Sequence, residues 1–248
     1  MFLNTDAIVL RETRYKDADK ILTVLTRSSG LQTVTARGVC RKGSALAASA
    51  QLLAYSQMCL FTYKDRASLR EAVLAEAWLP LRDDIGRMIL GVYAAEVCAA
   101  LATEGAECAE LLDFLLLTLK RLAYKRQPDA LVKAVFELGM MRLNGYGPDA
   151  SACAVCGEAD MTNPCLHLTL GQLHCEKCKP SLPQGISMPL TRGGVAALRF
   201  ISEKEPGKIF SFTLNENELT PLAHAAEAYM LTQLERGFQA LDMYKRLL

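Results

Sequence analysis

The sequence predicts an α+β chain: a small five-stranded β-barrel, then a helical domain with a four-cysteine module inserted into it. Three observations carry this reading. Five short β-prone runs fill the chain as far as Val73, and the apolar period turns helical after Trp78-Leu79-Pro80. Two Cys-x-x-Cys pairs, Cys153 with Cys156 and Cys175 with Cys178, then interrupt the helical part. With 248 residues, 51% of them apolar, the chain can build one large domain or two to three small ones.

The first strand is expected over residues 5–13, centred on Ala-Ile-Val-Leu, and the second over Lys20–Arg27 after a charged turn. Ser28-Ser29-Gly30 is a tight turn in which glycine can take positive φ. Leu31–Ala36 alternates as a third strand. Arg37 to Ser44 breaks the pattern with three basic residues and two glycines. The alanine-rich stretch 45–54 reads as a short helix or an ordered loop. Tyr55–Tyr63 and Arg66–Val73 complete five strands around a turn at Lys64-Asp65. Five short strands with a longer connection after the third suit a Greek-key barrel of the OB type, and an SH3-like barrel gives a similar string.

Helices are expected over Asp83–Thr103, Cys108–Lys125 and from Pro128 to Leu143, where Asn144-Gly145-Tyr146-Gly147-Pro148 stops the third. Two more follow over Thr191–Ser202 and Thr220–Leu247, the last capped by Thr220 with Pro221 at its first position. The expected domains are 1–79 for the barrel, 80–149 with 183–248 for the helices, and 150–182 for the cysteine module.

The two cysteine pairs are separated by the 18 residues from Gly157 to His174. Each pair places two thiolates on one turn, and two turns supply four soft ligands, which suits one tetrahedral structural Zn2+ held by Cys153, Cys156, Cys175 and Cys178. Cys165, His167 and His174 lie between the pairs and compete as ligands. A closed four-sulfur site leaves no position for water, so it points to structure rather than catalysis. A zinc deaminase needs His-x-Glu upstream of its cysteine pair. Here His174-Cys175-Glu176 falls inside the second pair, which excludes that class. No thioredoxin-like βαβ pattern surrounds the pairs, which weighs against a redox dithiol.

The net charge of +1 conceals an asymmetry: residues 1–70 carry +6 and residues 71–248 carry −5. The basic set Lys16, Lys20, Arg37, Arg41, Lys42, Lys64 and Arg66 falls on strand ends and turns of the expected barrel, where it can meet phosphates. Tyr15, Tyr55, Phe61 and Tyr63 are at hand for base stacking; core packing is the alternative use of each. The chain has no Gly-x-x-x-x-Gly-Lys-Ser/Thr phosphate loop, no Gly-x-Ser-x-Gly, and three histidines. No run of 18 apolar residues and no signal-peptide pattern occur, and the odd count of nine cysteines suits a reducing compartment. A soluble intracellular chain is expected, without a membrane partner.

Read together, these segments resemble the RecO family of bacterial DNA repair and recombination proteins. The likeness rests on Ala7-Ile8-Val9-Leu10, Tyr15-Lys16-Asp17-Ala18-Asp19-Lys20-Ile21-Leu22 and Thr26 with Gly30. It continues through Ala36-Arg37-Gly38, Arg41-Lys42-Gly43-Ser44, Phe136-Glu137-Leu138 and Asn144-Gly145-Tyr146, and covers nearly the whole chain. The resemblance implies an N-terminal OB-fold, a helical domain and an inserted zinc module. It implies binding of single- and double-stranded DNA, annealing of complementary strands, and loading of recombinase on single-stranded DNA in gap and double-strand-break repair. The implied partners are RecR and the acidic C-terminal tail of the single-strand-binding protein. The implied activity is non-enzymatic and the place cytoplasmic, at the nucleoid. Ala134-Val135 stand where the family often carries basic residues before Phe-Glu-Leu, leaving Lys133 as the nearest cation. Lys16 and Ala18 stand where it more often has a glycine and a small polar residue. A protein-binding scaffold with a structural zinc and an ordinary basic surface is the competing expectation.

Overall fold

The computed structural model describes residues 1–64, 66–124 and 127–247. Asp65 in the expected hairpin turn, Lys125 at the expected end of the second helix, and Leu248 lie outside them. The chain divides into two compact units, Met1–Tyr124 with Phe238–Leu248, and Lys125–Gly237.

The first unit holds β1 (Phe2–Tyr15), β2 (Asp19–Thr26), β3 (Gly30–Ala36), β4 (Tyr55–Tyr63) and β5 (Arg66–Glu76). They close into a barrel in the order β1-β2-β3-β5-β4. Every neighbouring pair is antiparallel except β3 with β5, whose parallel pairing at Val34–Ala67 and Thr35–Ser68 shuts the barrel. That closure makes the fold an OB-type barrel. The core follows from the period of two: Val9, Leu22, Val24, Val34, Met58, Leu60 and Leu69 are buried inside, each contributing roughly 1.5–3 kcal/mol.

β1 outruns its apolar centre because it serves two neighbours. Residues Phe2–Ile8 pair with β4 and Ala7–Tyr15 pair with β2, with a bulge between Val9 and Arg11 where the strand bends. Val9, paired with Val24 of β2, also exchanges main-chain hydrogen bonds with the 45–54 segment (Val9 N to Ala54 O 3.1 Å, Leu53 N to Val9 O 2.8 Å). That segment is an ordered series of turns rather than a helix. Gly30, at φ +60, lies so close to Thr103 that a Cβ would meet its carbonyl oxygen at 2.0 Å. Only glycine satisfies both conditions.

α1 (Ile85–Leu101) is capped by Asp84, whose carboxylate accepts from the Arg87 amide. α2 (Ala109–Ala123) is tied to the barrel by Arg27, whose guanidinium grips Asp113 with two hydrogen bonds of 3.0 and 2.5 Å. That bidentate hydrogen bonding to Asp113 raises the Arg27 pKa above its usual value.

The second unit contains α3 (Asp129–Leu143), the short strands β6 (Pro164–His167), β7 (Gln172–Cys175) and β8 (Ser187–Pro189), then α4 (Arg192–Glu203) and α5 (Glu216–Leu234). The three strands form one sheet ordered β7-β6-β8. Thr191 caps α4 by accepting from the Gly194 amide.

The last expected helix is corrected in two respects. It begins at Glu216, not Thr220, because Asn215 and Glu218 form a reciprocal cap: the Glu218 amide donates to Asn215 Oδ1 (3.1 Å) and Asn215 Nδ2 to the Glu218 carboxylate (2.9 Å). Pro221 therefore lies inside the helix, where it forgoes one main-chain bond. The helix also stops at Glu235, which takes left-handed φ 50, and a separate α6 (Gln239–Lys245) returns to the first unit. There it packs on α1, with Phe238 edge-on to Tyr93 at 5.6 Å.

Candidate metal centre and nucleic-acid interface

Cys153 and Cys156 sit on a turn closed by the Gly157 amide donating to the Cys153 carbonyl (2.9 Å), with Gly157 at φ +73. Cys175 ends β7, and Cys178 follows in the 3-10 helix Glu176–Ser181. The two turns are stitched together by Ala154 N to Leu173 O at 2.8 Å and Cys175 N to Cys153 Sγ at 3.5 Å. The four Sγ atoms lie within 4.8 Å of one another, and Cys156 and Cys175 are 4.0 Å apart. A tetrahedral zinc site with Zn–S of about 2.3 Å has sulfurs about 3.8 Å apart, so the four residues can hold a metal ion with little movement.

The neighbouring thiols differ in how readily they ionise. Burial opposes ionisation of Cys153, but the amides of Cys156, Cys175 and Val155 aimed at its sulfur outweigh this and lower its pKa to about 6. Cys178 is pushed up to about 12, chiefly by its hydrogen bond to Cys175. Four thiols this close cannot all ionise without a cation between them.

The competing ligands are engaged elsewhere. His174 is fully buried; its Nδ1 donates to the Cys175 carbonyl (3.0 Å), which leaves Nε2 to accept from Ser187 Oγ (2.8 Å). His167 Nδ1 accepts from the Leu170 amide and Nε2 faces the Pro183 carbonyl, both at 3.3 Å. Cys165 stands apart from the sulfur cluster, its pKa raised by burial. Both histidines thus tie the module to the chain just beyond it, at Pro183 and Ser187.

One residue that the motif reading passed over supports the whole module. Arg199, on α4, donates to the carbonyls of Ala150 (2.7 Å), Ser151 (3.0 Å) and Ala159 (2.7 Å), on both sides of the first cysteine turn. Arg199→Ala is expected to cost about 2–4 kcal/mol, from charged donors to three carbonyls, and to speed metal loss to a chelator. Arg199→Lys should restore little, since an ammonium lacks the planar fork. Thermal unfolding and chelator-release rates check this; unchanged release would show that Arg199 does not support the site.

The basic residues fall into three groups. Lys16 heads the β1–β2 turn, its amino group 5.3 Å from the Tyr15 ring centroid. Arg37, Arg41 and Lys42 are exposed on the turns leaving β3. Those turns are bonded to the β1–β2 turn, by Gly38 N to Asp19 Oδ1 (2.8 Å) and Cys40 N to Ala18 O (3.0 Å). One end of the barrel thus gathers Lys16, Arg37, Arg41 and Lys42. Lys64 and Arg66 belong to a second place, the tip of the β4–β5 hairpin, where β5 begins beside Val34 of β3. None of these six forms an ion pair with another described residue. Lys20 is different: its amino group binds Glu12 (2.6 Å) and the Ala50 carbonyl (3.1 Å), so its charge is spent on tying the 45–54 segment across the barrel end.

Residues 1–78 match the family described as Recombination protein O N terminal, and residues 82–242 match Recombination protein O C terminal. The chain belongs to the RecO family. A DNA repair protein RecO of Acetivibrio thermocellus is 27% identical over 99% of this chain and 97% of its own length. RecO of Symbiobacterium thermophilum is 30% identical over 96% and 95% of the two chains. RecO of Dehalococcoides mccartyi is 29% identical over 96% and 92%.

Within this RecO-family chain, Lys133, the nearest cation to Phe136-Glu137-Leu138, is not offered to a ligand. It is buried on α3 and bound to Glu137 (2.8 Å) and to Glu227 of α5 (2.7 Å). No helix among the described residues is long and apolar enough to cross a membrane.

Proposed function

We propose that this protein is a non-catalytic mediator of DNA repair. It binds single- and double-stranded DNA, anneals complementary strands and helps load recombinase on single-stranded DNA. In this reading the barrel, residues 1–79, contacts DNA, and one structural zinc at Cys153, Cys156, Cys175 and Cys178 holds the 150–182 module. The helices, 80–149 and 183–248, meet RecR and the acidic tail of the single-strand-binding protein. The family supports a role in DNA repair, and its bacterial relatives suit a place in the cytoplasm at the nucleoid.

The observation that carries the DNA reading is the exposed group Lys16, Arg37, Arg41 and Lys42 on two hydrogen-bonded turns, with no described acid paired to it. Such a group has little structural use and suits a row of phosphates, whose bound counterions it releases. When bound, zinc would cross-link the two cysteine turns; the phosphates would be met by the barrel's own side chains.

Reversing Arg37, Arg41 and Lys42 to glutamate is expected to weaken binding to single-stranded and duplex oligonucleotides at least about tenfold. The slope of log affinity against log salt should flatten by roughly one for each phosphate no longer neutralised. Fluorescence anisotropy over a salt series and a strand-annealing assay read the result. Unchanged affinity and slope, with the fold intact by circular dichroism, would favour the scaffold reading.

A further inference from the structure

The four cysteines of the cluster are not equally open to solvent. Cys156 is exposed, Cys153 is buried, and Cys175 and Cys178 are half-buried. The cause is local. Cys153 lies under the first turn, where its amide donates to the Glu158 carbonyl (2.9 Å) and its sulfur accepts from the Cys175 amide (3.5 Å). Cys156 stands three residues on, between Val155, itself 43% exposed, and Gly157. A Cβ added at Gly157 would meet nothing within 4 Å, so the chain beside Cys156 borders open space.

The exposed sulfur also faces the other turn. Cys156 Sγ lies 4.0 Å from Cys175 Sγ. A disulfide holds its sulfurs about 2.05 Å apart, so a closing movement of about 2 Å joins these two. Cysteines that bind a metal are thiolates, and the thiolate is the form that attacks an oxidant. Access selects Cys156 for that attack. The amide donated to Cys153 Sγ draws charge from that sulfur and leaves it the weaker nucleophile.

We propose that the four-cysteine centre is also a peroxide-responsive switch, with Cys156 as the attacking thiolate and Cys175 as the resolving one. The inference rests on the zinc reading above and gives that structural site a regulatory use. The Cys156 sulfur attacks one oxygen of hydrogen peroxide, the O–O bond breaks, and a sulfenic acid forms as hydroxide leaves. The Cys175 thiolate then attacks the sulfenic sulfur, the S–S bond forms, and a second hydroxide leaves. Two thiolates lose two electrons in all, and one peroxide gains them. The metal ion keeps its charge throughout and departs because two of its four ligands are gone. This is metal release by oxidation, not the disulfide exchange of a thioredoxin. The product still joins the two turns, through one covalent bond in place of four metal bonds. Cys153 and Cys178 are set free, so the first turn and the 3-10 helix Glu176–Ser181 loosen while the module stays tethered. A thiol reductant breaks the disulfide and returns the two thiolates, and the site can refill.

Cys165 marks the limit of the switch. It lies on β6 opposite His174, half-buried, with its sulfur 3.8 Å from the Asn163 carbonyl and outside the cluster of four.

The test treats the full-length, zinc-loaded chain with hydrogen peroxide. A zinc indicator follows release, and peptide mapping without reduction locates disulfides. Release should rise in step with a Cys156–Cys175 disulfide while Cys165 stays reduced, and dithiothreitol with added zinc should reload the site. Cys156→His keeps four ligands, three sulfurs and one imidazole. It should slow release about tenfold or more, since its remaining thiolates are buried or half-buried. Cys165→Ser should release zinc at the wild-type rate. If Cys156→His fails to load metal, the wild-type disulfide map decides alone. Zinc retained while Cys165 oxidises, or zinc lost without the Cys156–Cys175 disulfide, overturns the switch and leaves the structural zinc reading standing. A reduced chain that takes up no zinc at all overturns both.

Discussion

Serine in place of Cys175 is expected to abolish tight metal binding and to unfold the module locally. The module has little else to hold it: β6 and β7 span four residues each and β8 three. Its buried apolar side chains are few, chiefly Met161, Leu166, Leu168 and Leu173. Sheets this short need a cross-link, and structural zinc supplies apparent binding free energies of about 10–16 kcal/mol in zinc-finger peptides. The Cys175 sulfur, which the change removes, lies 4.0 Å from that of Cys156 on the first turn, so the change perturbs both turns. The affinity should fall by about a thousandfold or more, since three ligands remain. Hydrogen exchange should show weaker protection over β6 and β7 but full protection in the barrel, which has its own core in the other unit. Chelation of the wild-type chain should reproduce the pattern. Retention of one metal per chain after dialysis of Cys175→Ser would refute the four-sulfur site.

Replacing Lys133 by alanine is expected to destabilise the second unit by about 3–5 kcal/mol, the cost of removing one partner from buried charges. Lys133 and Glu137 lie a turn apart on α3, and Glu227 reaches them from α5. Glu137 is fully buried and Lys133 nearly so, so water cannot stand in for the missing ammonium. A Lys133→Met/Glu137→Leu pair should recover much of the stability, because an apolar filling avoids the desolvation of both charges. The pH dependence has a defined sign. Burial favours the neutral amine, but attraction to Glu137 and Glu227 and hydrogen bonds to both overcome this and raise the pKa above the ordinary 10.5. A raised lysine pKa stabilises fully below the unfolded value and fades as pH rises through the folded one. The gap between wild type and Lys133→Ala in urea denaturation should therefore be constant near neutrality and shrink above about pH 10.5. A gap that closes between pH 5 and 7 would mean another group carries the effect.

Much of the architecture is legible in the sequence. The strands of the barrel, the helices α1 to α4 and the two cysteine turns follow from local period, turn residues and spacing, all of which act over a few residues. The end of the chain misleads, because Thr220-Pro221 is a good start signal and Asn215 with Glu218 is a better one. The basic residues are recognisable as a set but not as groups. Lys20 spends its charge on Glu12 and Ala50, whereas Arg37, Arg41 and Lys42 stay exposed.

What the sequence by itself determined is the inventory: five strands, four paired cysteines and an excess of positive charge over the first 70 residues. What the tertiary structure decided is the use of that inventory. The parallel pairing of β3 with β5 closes the barrel. The approach of α5 turns Lys133 from a candidate ligand contact into a buried counter-ion, across 94 residues of sequence. Arg199 reaches back 49 residues to hold the first cysteine turn. The reason is physical: periodicity and turn chemistry are set by neighbours in the chain, whereas the fate of a charge or an aromatic face depends on which distant group desolvates or pairs with it.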